Sequence, residues 1–436
     1  MGCCHHYFAQ TADGDSAFTI DASTLTFGAG CLKEAGDHAK ALGMKKVGIY
    51  TDEGVRKLPP LATVTASLKA AGIDFAIYDE VRIEPTDASF KAATRFAVEG
   101  GFDGFFSVGG GSVIDTCKAA NLYSTHPADF LTYVNAPIGG GQPIPGPLKP
   151  HIACPTTSGT GSEATGIAIF DLLAMKAKTG IQSRLLKPTT GLIDPEATRT
   201  LPSTIVASTG FDAMSHALET LTDVSYARRA RPPRPSQRPP SQGANPFSDM
   251  VAFEALGLVG KYLVRAVNDP ADSEARAEMM YAATLAGIAF GNAGCHLPHG
   301  MSYAVSGLVR EYRAPHYPQH EPFVPHGMSV VLNAPSVYRF TASACPDRHL
   351  DAARHLGADT RGATPADAGE VLAGQIVKFM QATQFPGGLG SIGFTERDLD
   401  ALVEGTWPQQ RVIRNAPRAV TRDELRELFR GAMAYW

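Results

Sequence analysis

The sequence contains no uninterrupted apolar run of about 18 residues, the length a helix needs to cross a bilayer, so no membrane span is predicted. It has little excess charge of either sign. With 39 Lys and Arg against 43 Asp and Glu, the formal net charge is −4, which gives no electrostatic basis for binding nucleic acid. Cysteines number only seven. They are odd in number and lack a framework spacing, which argues against a disulfide scaffold and for a reducing compartment. The first residues, MGCCHHYFAQ, lack the basic and apolar segments of a signal peptide. Gly2 starts a myristoylation-like pattern, but position 6 is His6 rather than Ser or Thr, and the pattern fails there. Cys3, Cys4, His5 and His6 read as a polar terminus rather than as metal ligands. A basic, Ser-rich presequence is also missing. The expected compartment is therefore the cytoplasm, or the mitochondrion for a eukaryotic source.

What is present is an ordinary globular composition, 44% hydrophobic and 19% charged, spread over more chain than one core usually holds. Short apolar runs alternate with helical patterns in the first half. Lys46–Tyr50, Phe75–Tyr78, Phe105–Val108 and Ile152–Cys154 read as strands. Pro60–Ala71 and Ala88–Glu99 read as helices between them. This rhythm predicts a mostly parallel sheet covered on both faces. Beyond about residue 200 the strand pattern fades. Phe253–Leu263, Glu274–Phe290, Pro365–Thr383 and Thr421–Met433 carry apolar residues at helical spacing, the third with Thr364 as cap and Pro365 at the first turn. The expected division is an α/β dinucleotide-binding domain over 1–200 and an all-α metal-binding domain over 201–436.

Four side chains stand out as metal ligands. GFDAMSHALE at 210–219 places Asp212 and His216 one helical turn apart on one face. His299 and His326 lie further on, each followed by a glycine, Gly300 and Gly327, as close packing at a site requires. One carboxylate and three imidazoles suit a borderline divalent ion, Fe(II) or Zn(II). His296, three residues before His299, is a rival donor or a group on the substrate side. For the nucleotide, Gly109, Gly110, Gly111 and Ser112 sit where a strand gives way to a helix and bare backbone can approach a pyrophosphate. Asp52 follows an earlier strand, where a carboxylate favours a ribose hydroxyl over a 2′-phosphate and hence NAD over NADP. The spacing is not G-x-G-x-x-G. A second run, Pro155 to Glu163 (PTTSGTGSE), offers hydroxyls and glycines at a strand end. Lys176 and Lys178 follow it. The segment Tyr226–Pro246 is dense in Arg and Pro. It reads as a stiff loop in which Arg228, Arg229, Arg231, Arg234 and Arg238 offer charge-assisted contacts to a carboxylate substrate.

GGGS at Gly109, PTTSGTGSE at Pro155, GFDAMSHALE at Gly210, HGMSYAVSG at His299 and PHGMSVVLNAP at Pro325 appear in order. Together they resemble the iron-containing (group III) alcohol dehydrogenases, which share the dehydroquinate synthase-like fold, over nearly the whole chain. The resemblance implies that Asp212, His216, His299 and His326 hold the metal. It implies that Gly110, Gly111 and Ser112 contact pyrophosphate and Asp52 the ribose, with Thr156, Thr157, Ser162 and Lys178 on the cofactor. Many members carry a second His four residues after the third ligand; here that position is Tyr303. The proton route stays open between Tyr303, His296 and the cofactor ribose. GNAGCHLPHGMSYAVSG from Gly291, KAKTGIQSRLLKPTTGLIDP from Lys176 and the Arg/Pro loop resemble a branch that passes hydride between hydroxyacids and oxoacids. For that branch the resemblance implies 4-hydroxybutyrate and 2-oxoglutarate as substrates, with Arg228, Arg231, Arg234 and Arg238 on the substrate side. The alternative is an NAD-dependent alcohol or 4-hydroxybutyrate dehydrogenase with exchangeable cofactor. A homo-oligomer is expected.

Overall fold

Six parallel strands form because the chain supplies short, nearly continuous apolar runs that end in turn residues. The computed structural model describes Tyr7 and residues 11–175, 177–317 and 321–436. Cys3, Cys4, His5, His6 and Lys176 lie outside the described residues. In chain order the first elements are β1 (Thr24–Phe27), α1 (Ala35–Ala41), β2 (Lys46–Tyr50), α2 (Pro59–Ala70), β3 (Asp74–Tyr78), α3 (Asp87–Gly100), β4 (Gly104–Gly109), α4 (Gly111–Thr125), β5 (His151–Pro155), β6 (Ile167–Leu172), β7 (Ala177–Gln182) and β8 (Thr190–Ile193). The sheet order is β1-β8-β5-β4-β2-β3, with β6 and β7 pairing as a separate antiparallel hairpin. All six residues of β4 are buried, and they alternate between faces as the strand period demands. Phe106 and Val108 join the core with α1 and α2, whereas Phe105 packs with residues of α3 and α4. Helix α3 is fixed at its start by a capping box, Thr86 with Ser89, worth about 1 kcal/mol.

His151 on β5 is 3% exposed, and its Nε2 lies 2.8 Å from Ser107 Oγ on β4. Burial, aided by the Lys118 charge, lowers its pKa to about 3. The unfolded chain takes up a proton here near pH 6.5, where the folded chain does not, so acid favours unfolding. Its contribution is complete above pH 6.5 and falls away toward pH 3. Between pH 7 and pH 5 the loss is about 2 kcal/mol. Urea unfolding at those two pH values is expected to show this share of the decline in the native chain and not in His151→Gln.

The chain divides between Thr200 and Leu201. Asp21–Thr200 forms one unit, and Leu201–Trp436 forms the other with the described residues of Met1–Ile20. The first unit therefore does not begin at residue 1, and the expected span of 1–200 is corrected. The cause is a set of hydrogen bonds. Asp15 N donates to Arg229 O at 3.0 Å, the Arg238 guanidinium grips the Asp15 carboxylate at 2.8 and 3.0 Å, and Gln242 exchanges two hydrogen bonds with the Thr19 backbone.

In the second unit the regular elements among the described residues are helices. The first five are α5 (Ser203–Thr222), α6 (Pro246–Asn268), α7 (Ser273–Asn292), α8 (Leu297–Gly307) and α9 (His326–Val331), and further helices run to Gly431. Every residue of α5 from Gly210 to Thr222 is buried. Such a helix is a core element rather than a surface one, and α6, α7 and α9 pack around it. None of the described helices is long and apolar enough to cross a membrane. The helix expected over Pro365–Thr383 begins later, at Ala368. The Asp367 carboxylate accepts from Thr364 N at 2.8 Å and Oγ1 at 2.6 Å, which closes a turn where a first helical turn was predicted.

Candidate metal centre and nucleotide-binding loops

Helix α5 carries Asp212 and His216 into the core of its unit, and α8 and α9 bring His299 and His326 to them. Asp212 Oδ1 is the common point. It lies 3.9 Å from His216 Nε2, 3.6 Å from His299 Nε2 and 3.7 Å from His326 Nε2. Bonds of about 2.0–2.2 Å to a tetrahedral ion place ligand atoms about 3.3–3.6 Å apart, so the cluster is nearly the right size. Asp212 Oδ1 and His299 Nε2 are also buried without a hydrogen-bond partner among the described residues. Orphaned polar atoms of this kind cost folding free energy unless something else satisfies them. The donor set and its geometry therefore fit a divalent ion. Burial alone would raise the Asp212 pKa, but His216 and His326 outweigh it and hold the carboxylate ionised. Burial lowers His216 to about 4, against the pull of Asp212. Its imidazole is thus neutral and able to ligate. The ring stacks on Phe290 with centroids 4.0 Å apart and planes 7° apart.

Two glycines let the helices close on the site. A Cβ at Gly300 would lie 2.4 Å from Ile413 Cγ2, and one at Gly327 would lie 2.0 Å from Ser208 O. Glu219 was not predicted. It is fully buried, and its Oε1 lies 2.6 Å from His299 Nδ1 while Oε2 accepts the His296 backbone N–H at 2.5 Å. A carboxylate accepts only, so Nδ1 carries the proton and Nε2 is left facing Asp212. Burial would raise the Glu219 pKa, but His299 lowers it further. The sequence did carry a sign of it, because Glu219 lies three residues after His216 and seven after Asp212, on the same helical face. Glu219→Gln keeps the shape and loses the charge. It is expected to weaken divalent-ion binding about 10- to 100-fold in a chelator competition titration.

His296 is fully buried, its Nε2 lies 2.8 Å from Thr222 Oγ1, and burial lowers its pKa to about 4. Thr222 engages its ring and Glu219 its backbone N–H. Tyr303 sits one turn beyond His299 on α8 and is 8% exposed.

In the first unit Gly109 ends β4, Gly110 caps α4, and Gly111 and Ser112 open it. A Cβ at Gly111 would meet Thr160 Cγ2 at 2.6 Å, and one at Gly110 would meet Thr157 at 3.2 Å. The glycine turn and the Thr156–Glu163 loop thus press together backbone to side chain. Thr156 Oγ1 is buried without a partner among the described residues. Gly161 has φ 59°, a left-handed turn suited to glycine. Ser162 Oγ donates to Asp115 Oδ1 at 2.5 Å and accepts from the buried Lys118 Nζ at 2.6 Å, so it pins the loop to α4. Asp115 and Lys118, four and seven residues beyond Gly111 in the helix, were not predicted. Ser112 Oγ accepts from Glu84 N at 3.2 Å. Asp52 stands just past β2, where its Oδ1 accepts from Gly54 N and Val55 N at 2.9 Å each. Burial raises its pKa.

Lys178 is 4% exposed, and its ammonium is bonded to Glu84 and, at 3.1 Å, to Asp171, so it ties the β6–β7 hairpin to the segment before α3. Among the loop arginines, Arg238 holds Asp15, Arg229 holds Asp223, and Arg231 donates to Gly14 O at 3.2 Å. The N-terminal segment thus engages Arg231 and Arg238. Arg228 and Arg234 are exposed.

Known proteins resemble this chain along most of its length. The family model described as iron-containing alcohol dehydrogenase matches residues 22–195, and that of the Fe-containing alcohol dehydrogenase family, C-terminal, matches residues 240–433. The chain is 53% identical to the mitochondrial hydroxyacid-oxoacid transhydrogenase of Bos taurus, over 96% of this chain and 90% of that one. It is 52% identical to the Homo sapiens protein of the same name over the same shares. Among solved structures, an alcohol dehydrogenase from Oenococcus oeni superposes with a TM-score of 0.84 at 28% identity, covering 95% of this chain and all of the other. The names of the two relatives place them in mitochondria, which gives no support to a cytoplasmic setting.

Proposed function

The chain belongs to the iron-containing alcohol dehydrogenase family, and from that membership we propose that it is a hydroxyacid-oxoacid transhydrogenase. The reading is carried by one observation: a chain half identical to such enzymes along nearly its full length gathers three imidazoles around the buried Asp212 carboxylate. The net reaction balances as a two-electron exchange, in which 4-hydroxybutyrate becomes succinic semialdehyde and 2-oxoglutarate becomes 2-hydroxyglutarate.

Asp212, His216, His299 and His326 would hold the ion, and Fe(II) follows the family name while Zn(II) suits the same donors. When bound, the ion supplies Lewis acidity toward a substrate oxygen and NAD supplies a reversible hydride acceptor. The chain's own groups do the remaining work. Gly109, Gly110, Gly111 and Ser112 present backbone at the start of α4, with Thr156 and Thr157 beside them, as a cradle for the pyrophosphate. Asp52 offers Oδ2 to the adenosine ribose. Glu219 fixes the tautomer and aim of His299. To Tyr303, one turn from His299, we assign the passing of a proton to the substrate oxygen. Arg228, Arg231 and Arg234 are the exposed loop cations that we assign to a substrate carboxylate.

The test is turnover of purified protein with 4-hydroxybutyrate and no added NAD. Succinic semialdehyde should form continuously when 2-oxoglutarate is present and stop within one turnover when it is not. Equal rates with and without the oxoacid, or steady NADH release once NAD is added, would assign a plain dehydrogenase instead.

A further inference from the structure

Cys295 has no role in the account above, yet it stands against the metal centre. It is half-buried in the short connection between α7 and α8. One ligating atom from each of His216, Cys295 and His299 lies within 4.8 Å of the others. The same holds for Asp212, His299 and His326. The centre is thus two overlapping triads that share His299. One ends in a carboxylate and the other in a thiol. His216 stands 3.9 Å from Asp212 Oδ1 but is grouped with Cys295. A second observation points to an unfilled ligand within the cluster: His216 Nδ1 and His299 Nε2 are both buried without a hydrogen-bond partner among the described residues, in residues 4% and 5% exposed.

The two triads differ in chemical softness. Oxygen and imidazole suit a harder ion such as Mn(II) or Fe(II), whereas a thiolate with two imidazoles favours softer ions, Zn(II) and above all Cd(II). We propose that Cys295 is an additional metal donor, and that the centre has two coordination modes, a carboxylate mode on Asp212, His216, His299 and His326 and a thiolate mode on Cys295, His216 and His299. The proposal rests on the reading of these residues as a metal centre. It makes the chain distinguish ions by which donor set they occupy, so that a soft ion draws His299 away from Asp212.

The test uses the full chain stripped of metal by chelator. Cd(II) and Mn(II) are titrated separately by calorimetry, and the near-ultraviolet thiolate-to-cadmium charge-transfer band is followed during the cadmium titration. In the native sequence the band is expected to rise to saturation at one equivalent. Cys295→Ser should abolish it and weaken Cd(II) binding by at least about tenfold, while Mn(II) affinity changes less than about threefold. The unchanged Mn(II) affinity doubles as the control that the variant folds, and Cys295→Ala repeats the measurement with a smaller side chain. Asp212→Asn should do the reverse, losing Mn(II) and keeping the band. A band that persists in Cys295→Ser, or cadmium binding without a band, overturns the thiolate mode and leaves the metal centre standing. Absence of binding by either ion in the native sequence overturns the metal-centre reading itself.

Discussion

Asp212→Asn is expected to leave the purified chain with well under one divalent ion and to lower kcat/KM by about 10³-fold or more. Lewis acid activation is worth several kcal/mol, and each 1.4 kcal/mol is about tenfold in rate. The substitution changes one oxygen to nitrogen, so it barely alters volume in a residue 2% exposed. What it removes is the single negative charge that faces three imidazoles at 3.6–3.9 Å. Without it the donors become three neutral rings and an amide, a much poorer match for a dication. The check is metal content by mass spectrometry alongside turnover. Full metal occupancy with full activity in Asp212→Asn would remove Asp212 from the centre. Full occupancy with lost activity would keep the pocket but move the carboxylate's part to the chemical step.

Gly327→Ala should damage the same site without touching a ligand. The added Cβ would lie 2.0 Å from Ser208 O and 2.9 Å from Asp212 Cβ. Both belong to α5, which is buried along that stretch and has no room to retreat. The short helix α9 must therefore shift, and its first residue is His326. A displacement of about an ångström is large against metal–ligand bond tolerances of about 0.2 Å. The expected loss is about 10- to 100-fold in ion affinity, comparable to disturbing a ligand's support, with about 1–3 kcal/mol of stability lost to overpacking. Gly374→Ala is the matched control, because nothing lies within 4 Å of its added Cβ inside a helix. There alanine should stabilise by about 0.5–1 kcal/mol. If Gly327→Ala bound its ion as the native chain does, the close approach of α9 to α5 would not be what sets His326.

The four residues of the candidate centre were legible because each sits in a local pattern: Asp212 and His216 at a helical interval, His299 and His326 each before a glycine that the packing needs. The central strands were legible for the same reason, being continuous apolar runs ending at Thr51, Gly109 and Pro155. What stayed hidden was pairing across long separations. Lys178 reads as a cofactor cation until Glu84, 94 residues away, is seen to hold it, and Arg238 reads as a substrate cation until Asp15 appears, 223 residues away. Ser162 was placed near the cofactor by motif, but Asp115 and Lys118 take up its hydroxyl. Strands β1 and β8, four residues each, are too short to carry a period. The β6–β7 hairpin is held by register and the Lys178 ion pairs rather than by alternation.

The Asp15–Arg238 clasp has a consequence for synthesis. The segment that ends at Ile20 is translated before the α/β unit, yet its partners at Arg229, Arg238 and Gln242 emerge only after the whole of Asp21–Thr200. The α/β unit is in effect an insertion in the chain of the helical one. It can complete its own sheet during translation, since every strand pairing it needs lies within it. The helical unit has to wait, holding an unpaired leader while some 200 residues are added, and closes its ring of contacts late. Ion uptake follows that closure, because His299 and His326 are translated later still. The nucleotide-binding half is thus born before the metal-binding half, and a chain stalled between them carries the glycine cradle without the metal centre.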